Sequence, residues 1–120
     1  SQVATSVSIV KSDLYTCYVE NTTAGGNKTL SLKISYGSKD VNLKRIRIFP
    51  HSKGNDYNVT SVNHTSTNKD SFILPGMDSI LKINISNEVI PEKVAIMPIV
   101  MSGEQERECS KTDYVEIASC

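Results

Sequence analysis

In the stretch Lys28-Thr29-Leu30-Ser31-Leu32-Lys33-Ile34-Ser35-Tyr36 polar and apolar side chains alternate without a break from Thr29 to Tyr36. Leu30, Leu32, Ile34 and Tyr36 fall on one face; Thr29, Ser31, Lys33 and Ser35 fall on the other. A period of two marks a strand with one face in a core and one in water, and it argues against a helix over the same residues. The same alternation, rich in Val, Ile, Thr and Tyr, recurs to both sides. Further strands are predicted over residues 3–10, 13–19, 41–49, 57–65, 72–74, 79–86, 93–101 and 114–118. In the first of these Val3, Val7 and Ile9 share a face; in the second Tyr15, Cys17 and Val19 do, and are expected to point inward.

The punctuation between these segments agrees with an antiparallel all-β chain. Gly25-Gly26, Gly37-Ser38-Lys39-Asp40 and Pro75-Gly76 are turn signals, the last with the residue types of a type II turn. In residues 41–49 the apolar parity changes between Leu43 and Ile46, which predicts a bulge near Lys44-Arg45. Residues 50–56 read as a loop. Pro98 cannot donate to a ladder, so residues 93–101 are expected at a sheet edge. Residues 103–112 read as a polar connection holding one helical turn, because Glu104 to Glu108 are good helix formers. The expected fold is an antiparallel β-sandwich of about eight to nine strands, immunoglobulin-like (Greek-key) in architecture only. The Trp of an immunoglobulin core is absent, and Arg107 and Ala118 stand two residues before Cys109 and Cys120, where its Tyr would be.

At 120 residues the chain suits one domain spanning residues 1–120. Thirteen basic and thirteen acidic residues cancel, so the basic footprint that nucleic acid demands is missing. The longest apolar run, from Val94 to Met101, is far short of the ~20 residues of a membrane-spanning helix. No nucleic acid partner and no membrane insertion of this segment are expected.

The compartment is signalled by Asn. Five N-x-Ser/Thr sequons begin at Asn21, Asn27, Asn58, Asn63 and Asn84. Nine Asn placed at random among 25 Ser and Thr would give about two. A used sequon must be at the surface of a chain that has passed a secretory route, so an extracellular or cell-surface glycoprotein is expected. A glycan on Asn84 assigns Leu81, Ile83 and Ile85 to the core, and periodicity assigns the same three. At Ser1 there is neither a basic region nor an apolar one, so a signal peptide is expected to have been removed already.

Cys17, Cys109 and Cys120 lack C-x-x-C spacing, and disulfides fit the same compartment. Loop entropy favours Cys17 to Cys109, about 4.5 kcal/mol, over Cys109 to Cys120, about 3 kcal/mol. The first pairing leaves Cys120 for a partner outside the chain; the second leaves Cys17 as a core thiol.

Candidate chemistry is sparse. His51 and His64 are the only histidines, too few for a His-based zinc site without carboxylates. Ser52, His51 and Asp56 are the residue types of a triad, but three such residues in one short loop more often make a turn. Neither an enzyme nor a cofactor is expected. Arg45, Arg47, His51 and Lys53 are the candidate binding residues, since alternation puts Arg45 and Arg47 on one face, where they would meet a sulfated glycan or an acidic partner. The plainer reading is that charge on an exposed strand discourages edge-to-edge pairing. Glu104, Glu106 and Glu108 form an opposing acidic set that would support self-association.

The function these observations favour is a glycosylated extracellular module for protein binding or adhesion, from a receptor ectodomain or a viral envelope, with residues 50–56 and 103–111 as its glycan-free surface. One alternative is a subunit of a surface filament assembled by donation of the N-terminal strand, residues 3–10. The other is a secreted carrier of a small apolar ligand.

Overall fold

The computed structural model describes residues 7–20, 27–37, 43–63 and 77–120. Within them ten strands form two antiparallel sheets: β1 (Val7–Ile9), β2 (Cys17–Val19), β3 (Lys28–Tyr36), β4 (Leu43–Ser52), β5 (Asn55–Asp56), β6 (Thr60–Asn63), β7 (Met77–Ile85), β8 (Lys93–Ser102), β9 (Gln105–Glu108) and β10 (Val115–Glu116). The expected turns at Gly25-Gly26 and Pro75-Gly76, most of the turn at 37–40 and the short strand at 72–74 lie outside the described residues, as do Asn21 and His64.

In the first sheet β7 pairs with β3 over its whole length, from Lys28↔Ile85 to Tyr36↔Met77. β1 and β2 follow one another along the other edge of β3. The second sheet centres on β4 and β8; β5 and β6 pair with the far side of β4, β9 and β10 with the far side of β8. Leu30, Leu32, Ile34, Tyr36, Leu81, Ile83 and Ile85 from the first sheet pack against Leu43, Ile46, Ile48, Val94, Ile96 and Val100 from the second. The inward residues expected in β3 and β7 are those buried, and Asn84 faces water between Ile83 and Ile85. The register of β4 with β8 shifts between Leu43 and Arg45, so the extra residue is Lys44; this bulge lets Leu43 and Ile46 both face inward.

Four local expectations are corrected. β8 is a central strand, not an edge. Pro98 is tolerated there because its nitrogen is turned away from β4, as its carbonyl shows by accepting the Cys109 N–H at 2.9 Å on the other side. The N and C=O of a strand residue point the same way, so the missing N–H faces the irregular segment 109–114 that joins β9 to β10, where no regular ladder bond is lost. Residues 50–56 are not a loop: β4 runs on to Ser52 and turns back tightly through Lys53 (φ 51) and Gly54 (φ 82), the two left-handed residues of a type I′ turn. Residues 103–112 hold a strand, not a helical turn, because Gly103 (φ 64) closes a two-residue hairpin from Ser102 to Gln105. Tyr15 and Val19 are 44% and 53% exposed. Residues 13–16 form a turn tied by Thr16 N–H to Ser12 O at 3.0 Å, so strand phase begins only at Cys17, and Val19 is its last residue.

The chain end crosses between the sheets. After β10 the Ile117 N–H bonds Glu92 O at 3.0 Å; Tyr18 N–H then donates to Ala118 O, and Cys120 N–H donates to Tyr18 O. Cys120 is bonded to Cys17, and Cys109 is a buried free thiol. The expected Cys17 to Cys109 bridge is therefore corrected. Loop entropy grows only with the logarithm of length and barely separates two long loops. Position decides: Cys109 follows β9 into the core, whereas the tail lies beside β2.

Candidate functional site

The outer face of the second sheet carries a polar knot built from β4, β5 and the crossing at 109–114. His51 and Asp56 are cross-strand partners in the β4–β5 hairpin, and the His51 Nδ1 lies 2.8 Å from Asp56 Oδ1. Tyr114 donates its hydroxyl to the same oxygen at 2.9 Å; Lys111 reaches Asp56 Oδ2 at 3.4 Å and Tyr114 OH at 2.9 Å. Hydrogen bonds from His51, then from Tyr114 and Lys111, together with the Lys111 charge, hold the Asp56 carboxyl below its ordinary range, against the opposing effect of burial. The bond with Tyr114 and the carboxylate of Asp56 raise the Lys111 ammonium in turn. Lys111 also sits 4.4 Å from the centre of the Phe49 ring. Ser52 follows His51 in the strand and so faces the other way, buried. Ser52, His51 and Asp56 therefore do not assemble as a nucleophile, base and orienting acid.

The basic stripe is internally compensated. Arg45 and Arg47 share the outer face of β4, as alternation requires, but β9 lies across β8 from them and presents its own carboxylates. Arg45 grips Glu106 with both guanidinium nitrogens, and Arg47 Nη1 donates to Glu108 Oε1 at 3.2 Å. The Lys53 backbone N–H donates to Glu92 Oε1 at 2.6 Å. Of the four expected binding residues, the structure sets Arg45, Arg47 and His51 along one strand face and Lys53 in the turn beyond. It gives both arginines a carboxylate partner from β9 and His51 one from β5. The signal that would have found this pairing is Gly103 just after the apolar run of residues 94–101, since a Gly-X pair there makes a two-residue hairpin turn that folds the acidic set back along the strand.

A second feature is a groove of about 1190 Å³ where the edges of the two sheets meet, lined by the apolar Leu14, Ile90, Pro91 and Ile117 and the Cys17–Cys120 pair together with charged side chains such as Lys11, Asp13, Lys93 and Glu116. Leu14 is 76% exposed and Ile90 58%. Sequence reading missed this site because it is assembled from the turn at 13–16, the loop after β7 and the chain end, none of which carries a motif. One wall is positioned from a distance. Lys28, buried at the start of β3, donates its ammonium to the Asn87 backbone carbonyl and, at 3.4 Å, to Asn87 Oδ1. Asn58, in a left-handed conformation (φ 49), accepts the Ser86 N–H on its Oδ1 at 3.1 Å. Together they fix the loop that presents Ile90.

All four described sequon asparagines, Asn27, Asn58, Asn63 and Asn84, are exposed, and none of them lines the groove. Among the described residues no three His, Cys, Asp or Glu side chains converge as a metal site, and no helix is long and apolar enough to cross a membrane. In comparisons with known proteins, no family model, no curated protein and no solved structure matches the chain.

Proposed function

We propose that the chain is a glycosylated extracellular module that binds a protein partner at a cell or virion surface, with the groove beside Leu14 and Ile90 as its contact surface. The observation that carries the reading is the division of the surface: four sequon asparagines stand in solvent, while a groove edged by exposed apolar side chains is free of them. Apolar residues as exposed as Leu14 and Ile90, set together in a concave site, are what a partner's side chains cover. A disulfide and the sequons both suit an oxidising, secretory route.

An immunoglobulin-like, Greek-key architecture is supported by the connections. β3 and β7 are neighbours in one sheet, β4 and β8 in the other, and the chain changes sheet from β3 to β4 and from β7 to β8. The filament alternative is less favoured, because β1 completes its own sheet and Val7 is fully buried in its own core. The reading is one of binding rather than catalysis.

The test is production of the chain in a eukaryotic secretory host, followed by enzymatic deglycosylation and mass spectrometry. At least three of the five sequons are expected to carry glycan, Asn84 among them; an unmodified chain overturns the extracellular reading.

A further inference from the structure

We propose that the free edge of β7 is a self-association surface at which two copies of this chain pair antiparallel about a two-fold axis through Ile80. The inference does not depend on the glycan reading. β7 is nine residues long, contains no proline and keeps unbroken register with β3. Among the described residues no strand lies along its other side. The remaining edges are less inviting: β1, β5 and β10 have three, two and two residues, β6 has four, β9 has four, of which three are charged, and the chain end covers β2 at Tyr18. A long straight edge of unpaired N–H and C=O groups is a template for another strand.

The side chains select both the occupant and the register. Asp78, Ile80 and Lys82 alternate on the outer face of β7, and Ile80 is 38% exposed. A two-fold axis perpendicular to the sheet keeps faces matched, so it must pass through a residue. Centred on Ile80, it sets Ile80 against its own copy and each Asp78 opposite the other copy's Lys82, giving two reciprocal cross-strand ion pairs. Centring on Asp78 or Lys82 opposes like charges; centring on Ser79 or Leu81 leaves both charges without an opposite partner. Among the described residues of one molecule Asp78 has a single long contact, to Lys33 at 3.9 Å, so it can turn to a second lysine. Asn84 follows Lys82 by two residues on the same face, about 7 Å along the strand, so a glycan there projects into solvent beside the outer ion pair and the pairing is tested on the unglycosylated chain. The result is one continuous sheet across two sandwiches.

The experiment is sedimentation equilibrium on the unglycosylated full chain over a wide concentration range, with Asp78→Lys, Lys82→Asp and the double exchange, each checked for native folding by circular dichroism. The expected result is a reversible dimer, weakened about tenfold in either single variant and restored in the double exchange. Lys82→Asp leaves the Asp78–Lys33 contact in place, so its effect reports on the pairing between copies. A chain that stays monomeric at every concentration overturns the proposal, as does a dimer indifferent to the two exchanges.

Discussion

Cys17 and Cys120 stand 103 residues apart in the sequence and are joined by a disulfide, with their Cα atoms 5.0 Å apart. Because β10 belongs to the second sheet and β2 to the first, this bond clamps the sandwich along the side where the groove opens.

Closing so long a loop restricts the unfolded chain, so replacing both cysteines by serine is expected to lower stability by about 2–5 kcal/mol, read as a shift in the urea midpoint. Cys109 behaves differently. It is buried in the core, and burial pushes its thiol above the ordinary value against the opposing charge of Arg107. In the native protein a thiol reagent should find nothing, and after denaturation one thiol. A fast-reacting native thiol would show that this pairing is wrong.

The knot around Asp56 makes stability depend on pH at both ends. Asp56 is held below its ordinary 3.8, so its contribution is complete above that value and disappears as pH falls through the lower folded value. Lys111 is raised above its ordinary 10.5, so its contribution is complete below that pH and disappears as pH rises further. Asp56→Asn should therefore cost more at pH 7 than at pH 2, and Lys111→Met more at pH 7 than above pH 11, in unfolding curves collected across pH. Equal losses at all pH values would contradict the ionic account.

Lys53 occupies a left-handed position that asparagine tolerates better. Lys53→Asn should raise stability by up to about 1 kcal/mol, part of the left-handed cost that asparagine relieves, whereas Lys53→Val, β-branched at positive φ, should lower it by about 1–2 kcal/mol. Thermal melts of the two variants decide the matter, and their order is the informative result.

Glu106 and Glu108 cap the arginines of β4. The Arg45 and Glu106 side chains are 27% and 39% exposed, so their coupling in a double-mutant cycle should be small, about 0.2–1 kcal/mol. Removing the caps matters more for binding than for stability. Glu106→Gln with Glu108→Gln should make the chain elute from a sulfated-polysaccharide column at clearly higher salt than the parent. Equal elution would mean that Arg45 and Arg47 were never masked.

The local period of the sequence determined which residues are buried in β3 and β7. Leu30, Leu32, Ile34 and Tyr36 in β3, and Leu81, Ile83 and Ile85 around Asn84, are inward because side chains alternate strictly across a pleated strand. The bulge beside Leu43 was readable for the same reason, as a break in that period. Alternation carries no information about which strands become neighbours. The partner of Cys17, the carboxylates facing Arg45 and Arg47, the shelter that admits Pro98 to a central strand, and the groove at Leu14 and Ile90 each join segments that are remote in sequence. Only the tertiary structure decided them, because they follow from the order of strands in the sheets. That order is set by burial of the whole core rather than by any one segment.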